Sequence, residues 1–358
     1  MPQDYAGGVG RAATVGRVNR RILTLLAAFV PVLVLGVAGS AVTVPFVALG
    51  PGPTFNTLGE VEGKQVVDVQ NAPVQPTSGN LNMTTVSVRD GLNIFEAFGL
   101  WADGRYGIRP RSEVYPPGVP REQVDKSNQQ DFKNSESNAE LAALHYLKYP
   151  TVVKVQTVTD NSPAKGVLQT GDELLSVAGR PVGIAADVVD AVRAAAPGTG
   201  VPIVVRCGDA EQTVTVTVGA QPQDKTKGYL GVSLDEQPRS AIKVAFNLAD
   251  IGGPSAGLMF SLALVDKLST GKLNDGKFVA GTGTIDPDGK VGPIGGIQYK
   301  MIAAREAGAQ TFLVPADNCS EARQRTPAGL KLVKVDTLTS AVHSLEDLTA
   351  GKTVPSCG

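Results

Sequence analysis

The chain is poor in the residues that most often carry chemistry. It has two histidines, His145 and His343, and three cysteines, Cys207, Cys319 and Cys357, in 358 residues. With no HExxH pattern and no pair of closely spaced cysteines, a zinc site is not expected, nor any other metal or cofactor. There is no long basic run either, and 33 Lys and Arg stand against 34 Asp and Glu for a formal charge of -1. That balance lacks the electrostatic footprint nucleic-acid binding requires, so no nucleic-acid partner is expected. A phosphate-cradling GxxxxGK[ST] loop is also missing, which removes an ATP-hydrolysing module of that type.

What is present is apolar and long enough for more than one core, at 42% hydrophobic residues, which argues against general disorder. Near the N-terminus Arg11, Arg17, Arg20 and Arg21 precede the run Ile22 to Val44, with no charge until Glu60. As a helix rising ~1.5 Å per residue it spans a ~30 Å hydrocarbon core. The basic flank holds that end in the cytoplasm and the rest outside. Small residues at Ala38 to Ala41 would also suit a signal peptidase, but the run exceeds the ~7–15 residues of a signal h-region, which favours a retained anchor. An exported chain permits one disulfide, and Cys319 with Cys357, both near the C-terminus, is the expected pair.

Beyond the anchor, the Gly- and Pro-punctuated stretch from Val47 to Gln65 suggests an extended connector. Alternation predicts strands at KQVVDVQ and at residues 79–91, and helices at Leu92 to Ala102 and from Asn134 onward, separated by a loop that prolines 110, 116, 117 and 120 keep irregular. From Thr151 the order is strand, turn, strand, helix (Ile184 to Ala196) and two alternating strands. With Ser162-Pro163-Ala164, Gly171-Asp172 and LLSVAG after it, this stretch resembles bacterial PDZ domains, which bind a peptide as an added strand beside the helix. One feature is displaced: the carboxylate-clamping loop should precede Thr151, yet the matching text, GYLGVSL, begins at Gly228. A PDZ-shaped spacer is the alternative.

The segment GGPSAG places Ser255 at the expected start of a helix beginning at Pro254. Backbone N–H groups there (Gly253, Pro254 and Ser255) are candidates to hold an oxyanion, while a plain helix-capping serine is the ordinary reading. GPSAG also fits the nucleophile elbow of esterases, with Asp317 or Asp336 and then His343 in order, but the elbow needs a strand ending at the serine, and residues 249 to 253 intervene. Downstream come TGTI from Thr282, GPIGG from Gly292 and KMIAAREAGA from Lys300. Together these motifs resemble the proteolytic domain of the Lon proteases. The resemblance implies a serine–lysine dyad, with Ser255 the nucleophile, Lys300 the general base and Thr282 supporting the lysine. Thr284 stands where that family usually has Glu. A lysine can serve only if burial brings its amine down from about 10.4 to roughly 7–8.

GNLNMTTVSV and SESNAELAALHYL resemble earlier parts of the same domain. The expected class is thus α+β: a Lon proteolytic-domain fold interrupted by a PDZ-like β-rich domain, after one N-terminal transmembrane helix. The expected limits are a basic tail 1–21, transmembrane helix 22–44, connector 45–76, the first part of the peptidase domain 77–148, the PDZ-like domain 149–222, the dyad-bearing part 228–350, and a tail 351–358. This combination resembles the YlbL-like bacterial peptidases. It implies an ATP-independent endopeptidase outside the cytoplasmic membrane, with protein or peptide substrates and a possible homo-oligomer. A non-catalytic PDZ scaffold tethering envelope proteins is the alternative from another class.

Overall fold

The computed structural model describes residues 20–239, 241–249, 251–269 and 271–358. Arg11 and Arg17 of the basic tail, and Ser240 at the start of the strand reading SAIKVAFNL, lie outside them. The chain divides into two compact units, one comprising residues up to Ala48 with Val88–Val114, the other Leu49–Ser87 with Tyr115–Gly358.

The first unit holds α1 (Arg20–Ala41) and α2 (Ile94–Ala102). α1 continues through Pro31 and stops at Ala41, short of the expected Val44. Pro45 explains this, because its ring disfavours helical backbone at Val44 and the β-branched pair Val42-Thr43 adds to the bias. The window Leu23–Ala41 is long and apolar enough to cross a membrane, and none of it is buried within the protein. α2 starts at a capping box, in which Asn93 Oδ1 accepts from Phe95 N and Glu96 N while Glu96 Oε2 accepts from Asn93 N.

The expected connector is instead structural, and the chain passes along it from the first unit into the second after Ala48. Phe46–Asn56 forms an 11-residue strand beside Asn80–Arg89, and the sheet continues through Phe278–Gly281, Thr311–Pro315 and Lys331–Val335. From Asn80–Arg89 onward the pairings are parallel. Gly and Pro are compatible with the added strand because its neighbour uses the space they leave. The position of a Cβ on Gly52 lies 2.4 Å from Thr85 Oγ1, while Pro51 O and Pro53 O accept from Ser87 Oγ and Thr85 Oγ1.

α3 (Arg121–Tyr146) begins directly after Pro120, thirteen residues before the expected Asn134. Its first turns are exposed, so they carry no apolar period to detect; Glu122–Lys126 and Arg121–Asp125 ion pairs decorate them instead. Farther along, Phe132, Ala139, Ala142 and Ala143 enter the core against α5 (Gly257–Leu268), which is buried from Gly257 to Lys267. Phe260 of α5 meets Phe132 edge-on at 5.7 Å between ring centres and Phe246 at 4.6 Å. These rings join chain segments from both sides of the PDZ-like stretch in one core.

Between those segments, Thr151–Val158, Glu173–Val177, Gly200–Cys207 and Ala210–Thr217 form an antiparallel sheet with its own core, covered by α4 (Ala185–Ala194). A further strand, Val232–Pro238, pairs antiparallel with Thr151–Val158 and is the outermost strand on that side. The PDZ-like sheet therefore runs to Pro238 rather than ending at 222. The displaced loop is accounted for in the same way: Gly228 lies against Val192 O and Ala195 O at the end of α4, and leads into the edge strand. The strand that comes first in the resemblance comes last in this chain and occupies the place beside the helix.

After the central sheet strand Phe278–Gly281 the chain forms the hairpin Thr284–Ile285 with Val291–Gly292, then α6 (Ile297–Glu306), α7 (Cys319–Gln324) and α8 (Leu338–Thr349). Cys319 at the start of α7 is bonded to Cys357, as expected, and Cys207 is free and exposed.

Candidate active site

Three side chains separated by up to 45 residues meet where α5, α6 and the strand Phe278–Gly281 converge. Lys300 Nζ lies 2.6 Å from Ser255 Oγ and donates to Thr282 Oγ1 at 3.0 Å. The Thr282 hydroxyl in turn donates to Ser255 O at 3.1 Å, an oxygen that also accepts from Gly283 N at 3.0 Å. The arrangement closes on itself: lysine to threonine to the backbone of the serine.

Helix geometry buries the lysine. Ile297, Lys300, Met301 and Ala304 share the inward face of α6, at the three- and four-residue spacing of a helix. Lys300 is only 3% exposed, and burial alone takes its amine from 10.5 down to about 7. A cation there lacks water and has two hydroxyls for company, so the neutral form is favoured.

Ser255 does not stand in the helix. α5 begins at Gly257 with Ala256 at the cap position, so Ser255 precedes it and caps nothing. The loop is held from α3, where Asn128 O accepts from Gly253 N at 2.8 Å and Ser135 Oγ donates to Pro254 O at 3.0 Å. Gly253 takes φ +85°, a left-handed conformation suited to glycine. Two of the expected oxyanion donors are thereby corrected. Gly253 N–H is already bonded to Asn128, and Pro254 has no N–H to give. Of the three, Ser255 N–H is the one with no acceptor among the described residues.

A cleft of about 510 Å³ opens over Ser255 and Lys300, walled by Met83, Phe132, Ile251, Thr284 and Pro293. Thr284, at the position where Glu was expected, thus lines the cleft. His343 is an exposed residue of α8, and Asp317 and Asp336 are exposed as well. None of these three is hydrogen-bonded to Ser255, whose hydroxyl has Lys300 as its partner.

Sequence reasoning missed the α3 contacts, because Asn128 and Ser135 lie more than a hundred residues from the loop they hold. It also missed His145, whose Nδ1 is 2.7 Å from Pro287 O in the hairpin turn, and whose Nε2 bonds Glu236 of the PDZ-like edge strand. Glu236 further accepts from Thr151 Oγ1 at 2.8 Å and from Ala185 N, the first residue of α4, at 2.9 Å.

Comparison with known proteins meets this geometry at two places. The family model of the Lon protease (S16) C-terminal proteolytic domain matches residues 242–346, which include Ser255, Thr282 and Lys300, and the PDZ domain model matches residues 124–218. The latter match starts within α3 and stops before Val232–Pro238, the strand that completes the sheet. The chain therefore carries a PDZ domain and a Lon-type C-terminal proteolytic domain in a mixed α and β structure, with one apolar N-terminal helix.

Among similar curated proteins, the Lon protease of Roseiflexus castenholzii is 43% identical over 72 residues, 20% of this chain and 9% of that protein. That of Campylobacter jejuni is 37% identical over 95 residues, 25% of this chain and 12% of that protein. The chain thus spans about a tenth of the length of these relatives. Of solved structures, the PDZ domain of an SdrC-like protein from Listeria monocytogenes is 24% identical with a TM-score of 0.21, covering 23% of this chain and 85% of that one. Its counterpart from Listeria innocua is 19% identical with a TM-score of 0.22, covering 25% and 99%.

Proposed function

We propose that the protein is a membrane-anchored, ATP-independent serine endopeptidase that cleaves exported or envelope proteins, using Ser255 as nucleophile and Lys300 as general base. The observation that carries this reading is the 2.6 Å approach of a buried lysine amine to the Ser255 hydroxyl. With Nζ neutral near pH 7, its lone pair takes the Oγ proton as Oγ attacks the carbonyl carbon. Thr282 holds one N–H of the amine and so aims that lone pair at Ser255. Ser255 N–H is placed to stabilise the developing oxyanion. As the tetrahedral species collapses, the lysine returns the proton to the leaving amine; the resulting ester is hydrolysed by a water that Lys300 deprotonates in turn.

The PDZ domain selects or presents substrate. Its edge strand Val232–Pro238 has one side paired to Thr151–Val158 and borders a groove of about 160 Å³, with Val188, Val189 and Val192 of α4 opposite. An apolar groove beside an open strand edge suits an extended peptide with apolar side chains. α1 anchors the chain as a single span, with the N-terminus cytoplasmic and the catalytic domain outside.

The test is cleavage of an unfolded protein by the purified full chain beside Ser255→Ala and Lys300→Ala. Both variants are expected to fall to background, a loss of at least ~10³-fold. Equal turnover in all three removes the enzyme reading and leaves the scaffold; loss in His343→Ala but not in Lys300→Ala would instead establish the esterase arrangement.

A further inference from the structure

The helix α2 turns its largest apolar side chains outward. Ile94, Phe95, Phe98 and Trp101 are 54%, 56%, 64% and 62% exposed, and no residue of the helix is buried. Positions 94, 95, 98 and 101 fall on one face at helical spacing, with the rings of Phe98 and Trp101 5.7 Å apart. A contiguous patch of that kind on a protein surface marks a contact with something apolar.

The neighbouring helix indicates what covers it. A Cβ on Gly39, in the last turn of α1, would fall 2.8 Å from the Phe95 ring and 3.1 Å from Ile94 Cγ2. The short link is fixed too, since Val44 N donates to Leu92 O at 2.8 Å and Thr43 bridges to Asn93. At 22 residues, α1 is ~33 Å long, close to the thickness of the hydrocarbon layer, so its last turn lies at the level of the lipid headgroups. Whatever is bound rigidly to Gly39 lies at that level as well. A nine-residue helix with three aromatic rings on one face is the composition that partitions into this zone, where rings meet acyl chains and polar edges meet water.

We propose that α2 is a second membrane contact, lying in the bilayer interface with Phe95, Phe98 and Trp101 inserted among the lipids. The proposal rests on α1 spanning the bilayer. Its consequence is that the unit is held at two points instead of hanging from one flexible tether.

Trp101 is the single tryptophan of the chain, so the native protein carries its own probe. The full chain is placed in vesicles of phosphatidylethanolamine and phosphatidylglycerol, some containing lipids brominated near the headgroup and others near the chain ends. Expected are a blue-shifted emission, loss of emission with the shallow bromines greater than with the deep ones, and protection from aqueous iodide. In the double variant Phe95→Ser with Phe98→Ser, emission is expected to shift toward red and become open to iodide, while the chain resists carbonate extraction. A chain that survives carbonate extraction but shows iodide quenching and no bromolipid quenching overturns the interfacial contact and leaves the anchor standing. Shielding from both quenchers, with cross-linking of α2 to a second copy, also overturns it by showing a protein cover. Release of the chain by carbonate overturns the anchor and the proposal together.

Discussion

A lysine amine that sits 3% exposed beside two hydroxyls is costly to protonate. Its fall from 10.5 to about 7 corresponds to ~5 kcal/mol of weakened preference for the cation, at ~1.4 kcal/mol per tenfold. Because the folded value is depressed, the penalty to folding is fully present below pH 7 and is relieved as pH rises from there toward the unfolded value of 10.5. Lys300→Met, which keeps the volume and removes the charge, is therefore expected to raise stability by several kcal/mol at pH 6, of the order of the ~5 kcal/mol above, with the gain shrinking at higher pH. Urea midpoints of both proteins across that range measure it. In the wild type, kcat/KM is expected to climb with pH through a midpoint near 7, as the amine loses its proton. Thr282→Val removes the acceptor that aims Nζ and the donor to Ser255 O. Losing one such hydrogen bond is worth ~0.5–1.5 kcal/mol. On that scale turnover is expected to drop roughly 3–10-fold in a steady-state assay with the fold retained.

At the scale of elements, α3 does more than fill the core. Its residues hold the serine loop through Asn128 and Ser135 and the hairpin through Asn138 Nδ2, which donates to Ile285 O at 3.1 Å. Its last turn supplies His145, which joins the hairpin to the PDZ edge strand. The Glu236 hydrogen bond raises the His145 pKa most, and Asp288 adds to it, against the opposing effect of burial. For Glu236, burial pushes upward, but the hydrogen bonds from His145, Ala185 and Thr151 outweigh it and hold the carboxyl below its usual value of 4.5. The His145 contribution is fully present below the unfolded value of 6.5 and is lost as pH rises through the raised folded value; that of Glu236 is present above 4.5 and is lost as pH falls through its lowered one. The pair is thus strongest between pH 4.5 and 6.5. Over pH 6 to 9 this loss opposes the gain from Lys300, so His145→Gln is expected to make stability rise more steeply with pH than in the wild type, which unfolding curves of the two proteins compare directly.

For the whole molecule, covalent closure and topology matter more than any single bond. The Cys319–Cys357 bridge spans 38 residues, a loop whose closure limits the unfolded chain by about 3–4 kcal/mol in the chain-entropy account. Replacing both cysteines by serine is expected to lower the melting temperature measurably by calorimetry, and because Cys357 and Cys319 pack in one cluster with Ile297 and Met301 of α6, the loss also loosens the helix that carries Lys300. The PDZ stretch departs from the first core after α3, and the chain runs from its last strand Val232–Pro238 back to that core at Val244 and Phe246, so one unit contains both cores.

Much of the site was legible because its motifs are short and local. GGPSAG, TGTI and the α6 run each fix a residue type and a spacing, and the helical period puts Lys300 on the same face as Ile297 and Met301. The apolar run of α1 and the alternation of the PDZ strands were legible for the same reason: pattern along the chain reflects burial on one face. Elements without that pattern were not. The solvated first turns of α3 have no apolar period, the strand Phe46–Asn56 is written in Gly and Pro, and the edge strand Val232–Pro238 lay past an apparent end.

By itself, then, the sequence determined which segments could be helices or strands, that one helix could span a bilayer, and which serine, threonine and lysine were candidates, since those depend on neighbours a few residues away. Only the tertiary structure decided that Lys300 meets Ser255 at 2.6 Å, that Gly253 N–H is spent on Asn128, and that a late strand completes the PDZ sheet. Those outcomes depend on contacts between residues tens to more than a hundred positions apart, and the packing of the folded chain selects them with no local trace in the order of residues.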